Sequence, residues 1–481
     1  MMSRQKVWVA ASLLLVLTVV SARAATPPNI VLIMADDMGY GDPQCYNRKS
    51  KIPTPHIDRL ARQGVRFTDA HSPAAVCVPT RYGLLTGRYP FRSLRSERTE
   101  SRIEPDRVTL GGLLGKQGYR TACVGKWHQG FAGGKSREDY SKPIPQGPLD
   151  RGFDRFFGIP ASLDIPPYYW IRDDRCVTPP TARAMDNFSR NWTRIQGAFW
   201  RAGPVPPDFR FEDVLPMVER AAVGFIDQWS PMSKESPFFL YVPLPAPHTP
   251  WLPSKKFQGK SGASMYGDFV MMVDETVGTI IDALDRNKIN RRTLVIFTSD
   301  NGPVWYPHDA KRFGHSATGG LRGMKGDAWE GGHRMPLIVR WPGQVPARRV
   351  TDHLICHTDL LATLAEITGA DIPDGAGEDS ISQWAVWQKP NRRHPARRTL
   401  VSQSSGRVLA VRDGKWKYIP QLGSGGFSKP RRSKPAAGQP DAQLYDLSRD
   451  PGEQNNLAAT LPDVRARMDR LATRLSATPL R

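Results

Sequence analysis

Asn29-Ile30-Val31-Leu32-Ile33-Met34-Ala35-Asp36-Asp37 sets the fold class of this chain. The run up to Met34 is apolar without alternation, the pattern of a strand covered on both faces, and it ends in two acids. The same arrangement recurs further on. Residues 120–124 lead into Gly125-Lys126-Trp127-His128, 238–242 lead towards Ala246-Pro247-His248, and 294–298 lead into Ser299-Asp300-Asn301-Gly302. Helical patterns at 57–63, 109–116, 212–229 and 266–285 fall between these strands, and 65–67 reads as extended. Strands alternating with helices predict an α/β fold with a large, mostly parallel central sheet flanked by helices. Sites in such sheets lie beyond the carboxyl ends of the strands, so the four polar clusters are expected to converge on one edge.

Outward from this frame the chain changes character. Residues 143–207 are rich in Pro and aromatics, among them Tyr168, Tyr169, Trp170, Trp192 and Trp200; weak periodicity predicts long loops over the site. After His394 the pattern 407–411, Asp413-Gly414, 415–419 reads as a hairpin, 423–441 as a flexible Gly/Ser/Pro/Lys excursion, 444–447 as a strand and 461–475 as a closing helix. The expected organisation is a leader at 1–24, a main α/β domain at 25–394 and a smaller α+β C-terminal subdomain at 395–481.

The leader reads as a secretory signal peptide. Arg4 and Lys6 precede the apolar run 7–20, and Ala22-Arg23-Ala24 is a small-x-small cleavage site. That run is short for a membrane span, and no later stretch is longer, so no stable membrane span is expected. The protein is expected to be exported, to the periplasm or the exterior. Five cysteines are an odd number for an exported chain and flag one thiol with a separate role; Cys45, Cys123, Cys176 and Cys356 are left to pair or stay free. The formal charge of +21 becomes +18 once Arg4, Lys6 and Arg23 leave. A basic exported surface fits anionic polysaccharide, although simple solubility charge accounts for it equally well. No nucleic-acid motif is present, and nucleic acid is not expected as a partner.

Asp36 and Asp37 at one strand end, with Asp300 and Asn301 at another, form a set of hard oxygen donors suited to Ca²⁺ or Mg²⁺ rather than Zn²⁺. Each pair alone is an ordinary turn; together at the ends of buried strands they point to a metal. In Cys77-Val78-Pro79-Thr80-Arg81, Pro79 is expected to open a helix. Cys77 would then stand at the positive end of the helix dipole with Arg81 nearby, a setting for an anionic nucleophile or substrate. A buried structural cysteine is the bland alternative. Lys126, His128, His248 and Lys325, the last in a Gly-rich loop, suit acid–base work and the binding of a tetrahedral oxyanion, whereas singly each reads as a surface charge or cap.

Together these residues resemble the type I, formylglycine-dependent sulfatase family, the arylsulfatase-like branch of the alkaline-phosphatase superfamily. The resemblance runs from Asn29 to Asp42 and through Cys77-Val-Pro-Thr-Arg-Tyr-Gly-Leu-Leu-Thr-Gly-Arg-Tyr-Pro90, Gly125-Lys-Trp-His128, Gly152-Phe-Asp154 and Phe157-Gly-Ile-Pro160. It continues through Pro247-His-Thr-Pro250, Ser299-Asp-Asn-Gly302, Lys325-Gly-Asp-Ala-Trp-Glu-Gly-Gly-His333 and Leu444-Tyr-Asp-Leu447. It implies an alkaline-phosphatase-like fold and a catalytic domain over 25–394. It also implies that a maturation enzyme oxidises Cys77 to formylglycine (3-oxoalanine), whose hydrate attacks sulfur and then expels sulfate. By the same resemblance, Asp36, Asp37, Asp300 and Asn301 hold one Ca²⁺, with residue 77 completing the site and Mg²⁺ the less favoured ion. Arg81 and Lys126 would stabilise the diol, and His128 would act as the base. His248 and Lys325 would bind sulfate and assist the leaving group, and Ser162 matches a sulfate-pocket position. Thr80 stands where the family usually has Ser. Asp352-His353 echoes a zinc-phosphatase ligand pair, but Asp300-Asn301 lacks an adjacent His, which argues against a two-zinc site.

The expected function is an exported sulfatase, a sulfuric ester hydrolase acting on a sulfated polysaccharide or oligosaccharide or on aryl sulfates. The rivals are a formylglycine-dependent phosphonate monoesterase or phosphodiesterase on the same scaffold and an unmodified sulfated-glycan-binding protein.

Overall fold

The computed structural model describes residues 27–96, 98, 100–132 and 139–477; the signal-peptide reading at 1–24 lies outside them. At the centre of an eleven-stranded sheet, five strands run parallel in the order Thr293–Ser299, Asn29–Asp36, Phe238–Pro247, Arg120–Lys126, Arg155–Ile159. The Asn29–Asp36 strand is buried along its whole length, and its alternate residues feed two cores. Val31, Ile33 and Ala35 pack with residues of the Val214–Trp229 and Ser264–Arg286 helices. Ile30, Leu32 and Met34 face the opposite layer, which includes the Leu110–Lys116 and Asp359–Thr368 helices. Burial on both faces is why the sequence shows a continuous apolar run instead of a period of two.

Register aligns the strand ends. Ala35 pairs with Ser299, and Asp36 pairs with Pro247 after a register shift that follows Met34. Asp36, His248 and Asp300 therefore leave the sheet along one row. Beyond Thr293–Ser299 the strand Arg334–Arg340 is antiparallel, and Val65–His71 is antiparallel to that. Two reversals return Val65–His71 to the central direction, so the chain emerges at the same edge before the Cys77–Thr86 helix. That helix starts at Cys77, two residues earlier than Pro79 was expected to open it. Pro79 is tolerated there because the first four amides of a helix have no intrahelical partner.

Two segments differ from expectation. Within 143–207 the short strand Arg155–Ile159 joins the parallel sheet, and Ala182–Ala184 pairs with Gly203–Val205; elements of three to five residues are too short to show periodicity. The stretch 423–441 is tied down. Ala328 N donates to Ser424 O at 2.8 Å, and Ser428 N donates to Asp327 Oδ1 at 2.9 Å. Gly426 permits this approach, since a Cβ there would lie 2.0 Å from Gly326 O. Cys45, Cys77, Cys123 and Cys356 are free thiols, and among the described residues no helix is long and apolar enough to cross a membrane.

The C-terminal antiparallel sheet has the order Thr399–Gln403, Leu409–Asp413, Trp416–Ile419, Gln443–Asp446 and carries the Pro462–Ala477 helix. Its core takes in Tyr89, Leu354 and Cys356 of the larger body. Beside that junction lies a buried polar chain. Lys417 Nζ donates to His333 Nε2 at 3.1 Å, the Nδ1 atoms of His333 and His71 are 3.0 Å apart, and His71 Nε2 meets Asp69 Oδ1 at 2.9 Å. One proton arrangement satisfies all three contacts, with both rings neutral. Burial, reinforced by Lys417 at His333 and by Arg412 at His71, holds both imidazoles below their ordinary value.

Groups that stay neutral in the fold but charge when unfolded weaken the fold in acid. Both histidines therefore subtract stability as pH falls below about 6.5. Glu330 and Asp69 add to the loss at lower pH. Burial raises both carboxyls, but Lys417 and Arg412 respectively hold them below their ordinary range. Glu453, Asp274 and Asp300, each raised to about 7 by burial, work the other way between about pH 4 and 7, so the histidine contribution is read as the difference in stability between the parent and a His71→Gln, His333→Gln double variant. The stability of the parent relative to that variant should fall between pH 7 and pH 5, by up to about 1.4 kcal/mol per pH unit for each histidine. A difference that rises over that interval would contradict the neutral histidine pair.

Candidate active site

The row of strand ends brings the predicted residues together. Asp37 follows Asp36 in a left-handed backbone conformation (φ 63°), a rare state for a residue with a side chain and one concentrated at functional sites. The turn is held by Asp37 N donating to Asp300 Oδ1 at 3.1 Å, and by Asp300 N donating to Ala35 O at 3.1 Å. Asn301 Nδ2 donates to Asp37 Oδ1 at 2.6 Å, and Lys325 Nζ reaches the same oxygen at 2.6 Å. Lys126 forms a buried ion pair with Asp36 Oδ2. Arg81 donates to Asp300 Oδ2 at 2.9 and 3.2 Å and to Lys126 O at 3.1 Å. His248 Nε2 stands 3.7 Å from Asp37 Oδ2.

Donor atoms of Asp36, Cys77 and Asp300 lie within 4.8 Å of one another, as do those of Asp36, Asp37 and His248. Asp36 Oδ1 and Asn301 Oδ1 are buried and accept no hydrogen bond. An unsatisfied buried oxygen costs about 1–3 kcal/mol, and two of them beside three carboxylates fit a hard divalent cation. Burial pushes Asp36 up, but Lys126, His248, Arg81 and Lys325 together hold it well below the ordinary carboxylate range. Burial and the neighbouring Asp36 charge raise Asp300 to about 7. Crowded carboxylates of this kind are what a bound cation relieves.

His128 also sits in the left-handed region (φ 52°). Burial, Lys126 and Arg81 push its imidazole well below its usual value, so it is neutral, and its Nδ1 has no partner. Gln129 Nε2 donates to Val78 O at 2.8 Å, tying this strand end to the Cys77 helix. Ser162 lies two residues beyond Pro160, whose carbonyl accepts from His128 N at 3.0 Å; its buried hydroxyl has no partner. No hydrogen bond or ion pair among the described residues links that hydroxyl to the other ten predicted residues.

Sequence reasoning missed Asp42, which supports the metal-side turn from behind. Asp42 Oδ2 accepts from Gly39 N at 2.6 Å and Asp42 Oδ1 meets His315 Nε2 at 2.8 Å, while Tyr266 OH donates to Asp42 Oδ2 and to Asp37 O. The signal was present in Asp36-Asp37-Met38-Gly39-Tyr40-Gly41-Asp42, where a third acid follows the strand end. A cleft of 610 Å³ opens at Cys77 and is walled in part by residues 403–409.

A parallel α/β sheet with oxygen donors, lysines and histidines at one edge defines a hydrolase of the alkaline-phosphatase-like class. The chain belongs to the sulfatase family: the model for that family, described as Sulfatase, matches residues 28–370. It is 35% identical over 473 residues to the N-acetylgalactosamine-6-O-sulfatase of Bacteroides thetaiotaomicron, covering 91% of each chain. It is 34% identical over 467 residues to arylsulfatase A of Bos taurus, covering 92% of this chain and 85% of that one. A solved structure from a Bacteroides thetaiotaomicron core genetic locus for metabolism of multiple glycosaminoglycans superposes with a TM-score of 0.82 at 33% identity, covering 94% of this chain and 100% of that one. The protein is accordingly a sulfuric ester hydrolase.

Proposed function

We propose that this sulfatase is exported and removes sulfate from a sulfated polysaccharide or oligosaccharide of the glycosaminoglycan type, using formylglycine made from Cys77 by a maturation enzyme and one bound Ca²⁺. The observation that carries this reading is the pair of orphaned buried oxygens, Asp36 Oδ1 and Asn301 Oδ1, set beside Cys77 at the start of its helix. The glycan assignment draws on the substrate named for the 35% identical relative and on the basic charge of the chain. Export rests on the leader pattern at 1–24.

Asp36, Asp37, Asp300, Asn301 and residue 77 would hold the ion, which supplies a Lewis acid that neutralises sulfate charge and acidifies an adjacent hydroxyl. Residue 77, once converted to the hydrated aldehyde, would supply one hydroxyl to attack sulfur as the S–O bond to the alcohol breaks, and a second whose deprotonation would release sulfate and restore the aldehyde. The remaining work belongs to side chains already in place. Lys325 and Lys126, paired with Asp37 and Asp36, bind the sulfate oxygens and offset negative charge as it develops. Arg81, fixed by Asp300 and the Lys126 carbonyl, stabilises the nucleophile at residue 77. His128 is neutral and has a free Nδ1, the state a general base requires. His248, beside Asp37, hands a proton to the departing alcohol.

Calcium chelation should abolish sulfate release, and added Ca²⁺ should restore it. Asn301→Ala removes a ligand oxygen and should weaken Ca²⁺ binding by more than the roughly 10–100-fold typical of an outer-shell partner, read as metal content after dialysis. Full turnover by protein shown to be metal-free would overturn the ligand assignment.

A further inference from the structure

We propose that the C-terminal unit supplies a subsite for a second acidic group of the substrate, a carboxylate or sulfate on the sugar next to the one being desulfated. The proposal rests on the glycan reading above. The 610 Å³ cleft at Cys77 is lined by Gln403, Ser405 and Arg407 from the C-terminal unit and by Leu94 and Arg98 from the segment after the Pro90–Arg92 turn. The C-terminal contributors lie beyond residues 28–370, where the family model matches.

Two observations indicate that this wall is built to receive a ligand. Gln403 is only 8% exposed, yet its side-chain Oε1 has no hydrogen-bond partner. Gln403 is among the residues lining the cleft, and its buried oxygen is an acceptor that lacks a donor. Arg407 is held in the left-handed region (φ 64°) at the rim, exposed, with no carboxylate paired to it among the described residues. Arg98 is likewise exposed, with no carboxylate paired to it among the described residues, and it also borders the neighbouring hollow that contains His128. The other arginines in the cleft are committed elsewhere: Arg95 to Glu100 and the Ser101 carbonyl, Arg102 to the Arg95 and Pro90 carbonyls. Leu94, 95% exposed, offers an apolar surface against which a sugar ring can lie. Free guanidinium forks recognise carboxylate and sulfate oxygens in pairs. An exposed arginine on each segment of the same cleft lining matches an acidic sugar better than a neutral one.

The test compares kcat/KM on three disaccharides sharing one sulfated sugar, whose neighbour is neutral, carries a carboxylate, or carries a second sulfate. Wild type should prefer an acidic neighbour, and the carboxylate and sulfate arms identify which anion the site takes. Arg407→Ala should reduce the preference for the acidic over the neutral substrate by about 10–100-fold, the range for losing a hydrogen bond to a charged group. Arg407→Lys should restore part of it. An unchanged preference ratio would overturn the subsite even if overall activity fell. Calorimetric binding of the same acidic disaccharide without its sulfate ester reads the subsite independently of turnover. Equal affinity in wild type and Arg407→Ala overturns the proposal, whereas failure of wild type to release sulfate from any of the three substrates overturns the glycan reading instead.

Discussion

Cys77→Ala should reduce sulfate release by a factor on the order of 10⁴–10⁶, the loss seen when a catalytic nucleophile is removed from an otherwise intact site. The fold should survive. Cys77 forms no disulfide, and its side chain sits at the first position of a helix whose remaining residues are nearly all buried. Loss of function therefore would not reflect unfolding, and an unchanged denaturation midpoint would demonstrate that. The same position argues against a working thiolate. Burial pushes the thiol above its ordinary value, and the nearby charges of Lys126 and Lys325 only partly offset this. A thiol held protonated is a poor nucleophile at neutral pH, whereas an aldehyde hydrate needs only a base, and neutral His128 can serve as one. Mass spectrometry of the peptide containing residue 77, from protein co-expressed with a maturation enzyme, should show conversion of the cysteine. Full activity with an intact thiol would sink the formylglycine mechanism.

The legible parts of this molecule are those where one physical constraint writes itself into consecutive residues. Val31, Leu32 and Ile33 announce a strand buried on both faces, because neither side can tolerate a polar side chain. Asp36, Asp37, Asp300 and Asn301 point to a cation site because acids gathered at the ends of such strands repel one another unless positive charge lies among them. The Sulfatase family match confirms the family to which these motifs point. What escaped the sequence depends on partners distant along the chain. Asp42 matters through Tyr266 and His315, more than 220 residues away. Residues 423–441 looked flexible because their composition is that of a linker, yet Gly426 is there so that backbone can lie on Gly326. Arg407 reads as an ordinary hairpin residue until the fold sets it in the lining of the cleft that also includes Cys77.

Lys417 exemplifies such a distant partnership, and replacing it should give the largest stability loss of any single change outside the active site. It lies on the Trp416–Ile419 strand and is 1% exposed. Its ammonium is 3.0 Å from Glu330 Oε1 and 2.9 Å from Glu453 Oε1, while donating to His333 Nε2. Glu330 and His333 close the turn that begins at Lys325, so one cation joins the C-terminal sheet to a loop that carries an active-site lysine. Met in its place has similar volume but leaves two buried carboxylates facing each other. Removing one partner of a buried ion pair costs about 3–5 kcal/mol, because the remaining charges are neither solvated nor matched. Lys417→Met should therefore lower the denaturation midpoint by that amount. The C-terminal sheet should become susceptible to protease before the parallel sheet does. Adding Glu330→Gln and Glu453→Gln to Lys417→Met neutralises the stranded charges and should recover part of the loss, giving a coupling energy of opposite sign to the single effect. If the single variant were as stable as the parent, the buried cation would not be what holds the two sheets together. If the triple variant recovered stability but not turnover, Lys417 would also be acting on Lys325, through the loop the two charges span.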